Sequence, residues 1–334
     1  MMSTQTETMT QDEREALADS VARLLGGTDD PWPQLVEHGF AGVGLPEAYG
    51  GSGGGWEDAA VVLEAAAYAT APVPLAENTW LAAWALAEVG AQAPAATATL
   101  ATGSFSVSGS HLRGRAVRIP FLRAADELVV VTHEGVYRVA PGACQVTPGA
   151  NLAGEPRDDV IVDGSVEVLG PGPSPAEVQQ RGALARTVQL AGAARRALDH
   201  SVTYVREREQ FGRPIGAFQA VQQQLSVLAA EAFIVDVSAR SAVRAAAADE
   251  RSARIPIAAA KSNASRGAQT IVRIAHQLHG AIGVTHEHDL HLATSRLSSW
   301  AREYGTANYW TAELGAWSEA ADPWHFITGT TESP

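Results

Sequence analysis

The chain has one cysteine, Cys144, in 334 residues. No disulfide can close within it, and a cytoplasmic location fits. Cations are outnumbered: 24 Lys and Arg face 37 Asp and Glu, giving a formal net charge of −13. That balance argues against a nucleic-acid partner, which needs clustered Lys and Arg, although local cations can still hold a small anion. No stretch offers about 18 apolar residues without charge, so no membrane span is expected. The N-terminus, M-M-S-T-Q-T-E-T-M-T-Q-D-E, lacks a basic region followed by an apolar run and is not read as a secretory leader. Internal repeats are absent, as is low complexity beyond an alanine bias in the second half.

What is present is a soluble globular composition, 46% hydrophobic and 18% charged, with length for two or three domains. Residues 1–10 are expected to be disordered. Residues 11–98 carry helical periodicity at 14–25, 32–38, 59–69 and 80–90. A loop from Gly42 to Gly55, G-V-G-L-P-E-A-Y-G-G-S-G-G-G, interrupts them, since so many glycines cannot be helix. Residues 99–172 change to short β-like runs at 106–108, 116–119, 128–132, 136–139, 159–162 and 166–169. From 173 to 334 the helical period returns, at 176–209, 218–248, 256–279, 290–300 and near 307–320. Long helices joined by short turns predict a bundle. The fold class expected is therefore mainly α with a central β domain.

The most informative stretch is Arg206–Gln219, R-E-R-E-Q-F-G-R-P-I-G-A-F-Q, which joins two long helices. Arg208, Phe211 and Gly212 sit at the junction, with Pro214 at an expected helix start and Gln219 one or two turns later. A cation, an aromatic ring and a tight turn suit a nucleotide diphosphate. An ordinary capping arginine and a core phenylalanine are the plainer alternative. His286, His288 and His291 with Glu287 and Asp289 match no established zinc spacing and are read as a solvated loop. Trp310, Trp317 and Trp324 recur every seven residues, as in a core or interface stripe.

The Arg206–Gln219 stretch resembles the start of the C-terminal helical domain of flavin-dependent acyl-CoA dehydrogenases. Leu45-Pro46-Glu47-Ala48-Tyr49-Gly50-Gly51 with Gly53 is similar to that family's N-terminal signature. His276-Gln277-Leu278-His279-Gly280-Ala281-Ile282-Gly283 resembles its C-terminal glutamine-and-glycine turn, with Ala281 replacing the second glycine. The run 108–131 is similar, less specifically, to the family's β domain. The resemblance implies an N-terminal helical domain, a small β-barrel-like domain and a C-terminal four-helix bundle. It also implies FAD and α,β-dehydrogenation of an acyl-CoA, with an electron-transfer flavoprotein as acceptor.

The same resemblance exposes absences. The family's base is a glutamate before a Gly-Thr pair; here the pair is Gly305-Thr306 and Tyr304 precedes it. Glu303 lies one residue earlier, and one helical step turns a side chain by roughly 100°. The family's alternative base position falls at or near Gly182, which has no side chain. The Thr-Glu-Pro loop that opens the family's β domain is missing from 95–108, where Gly103-Ser104 remains. Residues matching Arg208, Phe211, Gln219, Gln277 and Gly280 reach a neighbouring subunit's FAD in the family, and Thr306 and Asn308 match positions that approach the cofactor. The chain thus resembles the shorter, base-lacking subunit of heteromeric α2β2 acyl-CoA dehydrogenases of actinobacterial steroid side-chain degradation. The expected partner is a homologous full-length subunit sharing its FAD. Two other readings stand beside this one: a self-sufficient homo-oligomer with Glu303 as base, and a flavin-free scaffold.

Overall fold

The computed structural model describes residues 9–27, 30–94, 96–250, 252–285 and 287–319. Of residues 1–10, expected to be disordered, residues 1–8 lie outside them, as do His286 of the histidine run, Ala320 and Trp324, whereas Thr10 is ordered as the cap of the first helix. The first helix, α1 (Gln11–Leu25), starts at a capping box in which Thr10 and Glu13 satisfy each other's backbone donors. Then come α2 (Trp32–Glu37) and α3 (Trp56–Tyr68). The glycine-rich loop between them is tightly packed: a Cβ on Gly51 would lie 2.2 Å from the Leu45 carbonyl oxygen. That approach admits only glycine.

Where one helix is expected over 80–90, the chain forms a π-helix, Ala76–Ala83, running into α4 (Trp84–Glu88). Every residue of the π turn is buried, polar ones included. Asn78 accepts the Ala98 N–H and Thr79 donates to the Ala41 carbonyl. Widened turns of this kind concentrate at functional sites.

Among the described residues eight strands follow in two four-stranded sheets, an open pair and not a closed barrel. One contains β1 (Ala98–Ala101), β4 (Glu127–Val131), β5 (Val136–Val139) and β8 (Glu167–Gly170). The other contains β2 (Ser104–Ser108), β3 (His111–Pro120), β7 (Arg157–Ser165) and β6 (Cys144–Thr147). Strands β1 and β6 have no counterpart in the sequence reading; each is only four residues long. Leu112, Ile119, Leu128, Val130, Val160 and Val162 form a core drawn from both sheets. The opposite side of the first sheet packs Leu100, Val129 and Val131 on Leu81, Trp84 and Val178. Covering both faces explains why Leu128–Val131 are apolar without alternation.

The C-terminal part contains α5 (Pro175–Glu207), α6 (Gln219–Ala248), α7 (Arg254–His279), α8 (Leu290–Trp300) and α9 (Ala307–Glu319). Helix α5 is the central post. Ser174 and Glu177 form a capping box at its start, with Pro175 in the first turn. Gly192 lets it press against α3, since a Cβ there would meet the Glu64 carbonyl oxygen at 2.4 Å.

Candidate functional site

Two places carry most of the residues singled out by sequence. The first is the turn after α5. Glu209–Gln210 and Arg213–Pro214 pair as a two-residue-strand hairpin, with Phe211 at φ 53° and Gly212 at φ 78° between them. Positive φ at both central positions is the geometry of a tight hairpin turn whose twist matches its strands. Pro214 is therefore a strand residue and not a helix start; α6 opens at Gln219, after a short 3-10 turn over Ile215–Ala217. Phe211 is 91% exposed, which removes the core-phenylalanine alternative. Arg208 is the C-cap of α5, exposed and without an ion pair among the described residues. Gln219 is exposed at the start of α6.

A ring stack ties this turn to the end of α7. Tyr204, one turn before Arg208, lies 4.4 Å from His279, face to face. Exposed Gln277 and Gly280 are thereby brought to the same end of the molecule. Gly280 sits at φ 62°, ψ −142°, a conformation open essentially to glycine alone. His200, His279 and His288 cluster below it. Burial pushes the His279 imidazole down to about 4, and its Nε2 has no hydrogen-bond partner among the described residues.

Thr306 and Asn308 are elsewhere. They open α9, which is held to the first half of α7 by Ser262 and Arg266 on Thr311. Lys261 to Gln277 spans about 24 Å along α7, so these two residues do not join the Arg208 cluster.

The second place is a cavity of about 720 Å³ between the sheets and the start of α5, lined by Leu100, Ile119, Asn151, Val178, Glu303 and Tyr304 among others. Glu303 lines it but is fully engaged. Its carboxylate accepts from Arg157 Nε at 2.8 Å and Nη2 at 3.0 Å, and from Arg186 Nε at 2.8 Å. Arg186 also donates to Glu77 of the π-helix at 2.5 Å. Arg157 donates to Glu155, which in turn accepts from Trp300 and pairs with Arg296. Three arginines and three glutamates thus neutralise one another in the interior. Burial alone would raise the Glu303 carboxyl; Arg186 and Arg157 overcome it and hold the group at about 2. A carboxyl so acidic is a poor proton acceptor near neutrality.

Tyr304 and Gly182, two residues the sequence placed at separate base positions, meet here. Tyr304 takes φ 50° and lays its ring on α5. A Cβ on Gly182 would come within 2.3 Å of the Tyr304 ring. Burial raises the phenol further above its ordinary range, against Arg186. Beneath it Lys261, the chain's only lysine, donates to the carbonyls of Ala301 and Gly305. Burial pushes its ammonium down to about 7. Sequence reading missed Glu77, Arg157, Arg186 and Lys261, for they belong to four separate elements and no local pattern joins them.

The family model for the acyl-CoA dehydrogenase N-terminal domain matches residues 1–97, and that for the C-terminal domain matches residues 178–316. The acyl-CoA dehydrogenase IpdE2 of Mycolicibacterium smegmatis is 31% identical over 320 residues, covering 88% of this chain and 95% of that protein. A chain of the ChsE4-ChsE5 complex from Mycobacterium tuberculosis superimposes with a TM-score of 0.80 at 23% identity, over 94% of this chain and 99% of that one. A variant of the Tcur3481-Tcur3483 steroid ACAD gives a TM-score of 0.78 at 25% identity, over 93% and 98%.

Proposed function

The chain belongs to the acyl-CoA dehydrogenase family, and from that premise we propose that it is the base-lacking subunit of a heteromeric flavoenzyme, completing the FAD site of a full-length partner. The observation that carries this reading is the closure of both base positions. Gly182 has no side chain, the Tyr304 ring fills the space above it, and the neighbouring carboxylate of Glu303 is bound by two arginines. The self-sufficient alternative would need Glu303 free.

The residues toward the cofactor fit a nucleotide. Arg208 offers a forked cation suited to a diphosphate. Phe211 presents an exposed ring at the apex of a tight turn, edge-on to Phe218, able to stack on a base. Gly280 leaves room for backbone approach. All three face solvent instead of this chain's own cavity, as residues serving a neighbour must. Flavin, when bound, supplies the acceptor for a hydride from the acyl β-carbon. This chain would bind and orient it, while the partner's carboxylate removes the α-proton. A steroid-derived acyl group suits the relation to a steroid ACAD, and an electron-transfer flavoprotein is the proposed acceptor.

The test is a flavin absorbance spectrum of the chain purified alone and co-expressed with a homologous full-length subunit. Flavin is expected only in the mixed complex, one for each pair of chains. Arg208→Ala is expected to strip it. Full flavin on the lone chain, bleached by an acyl-CoA, would overturn the reading; an Arg208→Ala complex with unchanged flavin would favour a scaffold.

A further inference from the structure

The 720 Å³ cavity falls in the size range of small-molecule sites, roughly 300–1,000 Å³, and its chemistry is sorted by depth. Leu100, Ile119 and Val178 make a buried apolar wall. The charges behind it are consumed: each Arg157 nitrogen donates within the protein, and Asn151 serves Glu155 and Glu303. The mouth differs. Arg118 and Arg302 line it, both exposed, and neither guanidinium has a carboxylate partner among the described residues. Half-buried Thr102 and Gln179 also line the cavity, with no side-chain hydrogen bond among the described residues. Val117, 61% exposed, and Leu152, 68% exposed, form apolar lips.

The placement of Arg118 is enforced. It sits at φ 58°, inside the bulge where the β3–β7 register shifts between Ala116 and Ile119. The Asp159 carboxylate accepts its backbone N–H at 2.8 Å. Bulges re-aim side chains, and a non-glycine residue persists in the left-handed region only when its surroundings impose it. The chain as a whole carries −13, so a pair of free cations at a cavity mouth runs against its general surface.

We propose that this cavity binds an apolar monocarboxylate, with the hydrocarbon body on Leu100, Ile119 and Val178 and the carboxylate at Arg118 and Arg302, and that it holds the molecule without turning it over. An arginine recognises a carboxylate by charge-assisted hydrogen bonds, which an uncharged thioester carbonyl cannot return with equal strength. The site selects a free acid. The assignment stands on this cavity and does not rest on the partner's flavin: a full-length subunit that lost its FAD would leave it intact.

Isothermal titration of the full chain at low salt, alone and in its complex, tests it with decanoate as probe. Saturable binding at one site is expected, weaker for decan-1-ol and weakened about tenfold or more by the double variant R118Q/R302Q, through loss of the charge-assisted bonds. Both arginines are exposed, so the variant should melt as the parent does. Absence of decanoate binding would overturn the assignment. So would equal affinity for the alcohol, an unaffected double variant, or binding of decanoyl-CoA but not of decanoate.

Discussion

The contact of Gly182 with Tyr304 leaves no room for a side chain at that point of α5. A side chain on α5 and a large ring after α8 compete for one volume, and the ring has it. The backbone at Tyr304 accepts a left-handed conformation, with its carbonyl receiving the Trp310 indole N–H at 2.9 Å. Gly182→Ala would place its methyl within 2.3 Å of the ring. Overpacking of this kind costs typically 1–3 kcal/mol, and a loss of about that size is expected in urea unfolding. Tyr304→Ala in the same chain should recover it, leaving a coupling energy of on the order of 1 kcal/mol in the double-mutant cycle. A neutral Gly182→Ala would mean the ring does not rest there.

The hairpin between α5 and α6 separates display from support at the scale of an element. Phe211 is exposed apart from an edge contact with the Phe218 ring, and a Cβ on Gly212 would meet nothing within 4 Å. Phe211→Ala should therefore leave the isolated chain within about 0.5 kcal/mol of the parent, while lowering flavin retained by the complex. Gly212→Val should instead destabilise by about 1 kcal/mol or more, since its φ of 78° disfavours a branched side chain. Chemical denaturation beside flavin absorbance separates the two effects; equal stability losses would show that Phe211 is structural. The junction was legible in sequence because cation, ring and glycine are contiguous. Its turn type was not: proline commonly opens helices, and at Pro214 strand pairing with Glu209 took precedence. The π-helix at Ala76–Ala83 was equally hidden: it is buried on every side, Glu77, Asn78 and Thr79 included, so no amphipathic periodicity reveals its winding.

Acid should unfold the whole molecule in two overlapping stages. His279 is buried neutral, its folded value about 4 against an ordinary 6.5. The unfolded chain takes up that proton first, so stability falls as pH drops from 6.5 to 4. Glu303 is held at about 2 against an ordinary 4.5. Its contribution is complete above 4.5 and lost as pH falls from 4.5 toward 2, on the order of 3 kcal/mol across that window. Glu303→Gln should lower stability at neutral pH by about 3–5 kcal/mol, because it leaves buried arginines under-compensated. It should also flatten the lower acid limb. Urea midpoints measured against pH check both, and a Glu303→Gln chain retaining the parent's slope below pH 4.5 would remove the ion network from the account.

The sequence by itself determined the order of helical, β and helical segments and the family signatures, because periodicity, glycine loops and short motifs are local properties of a chain. It also singled out Gly182 and Tyr304, as two separate positions without a carboxylate. Only the tertiary structure made them one event, a ring seated on a glycine. Only it paired Glu303 with Arg157 and Arg186 and so decided what that carboxylate can do. It also set Thr306 and Asn308 apart from the Arg208 turn. Burial and charge pairing between distant elements fix these outcomes, and no spacing along the chain encodes them.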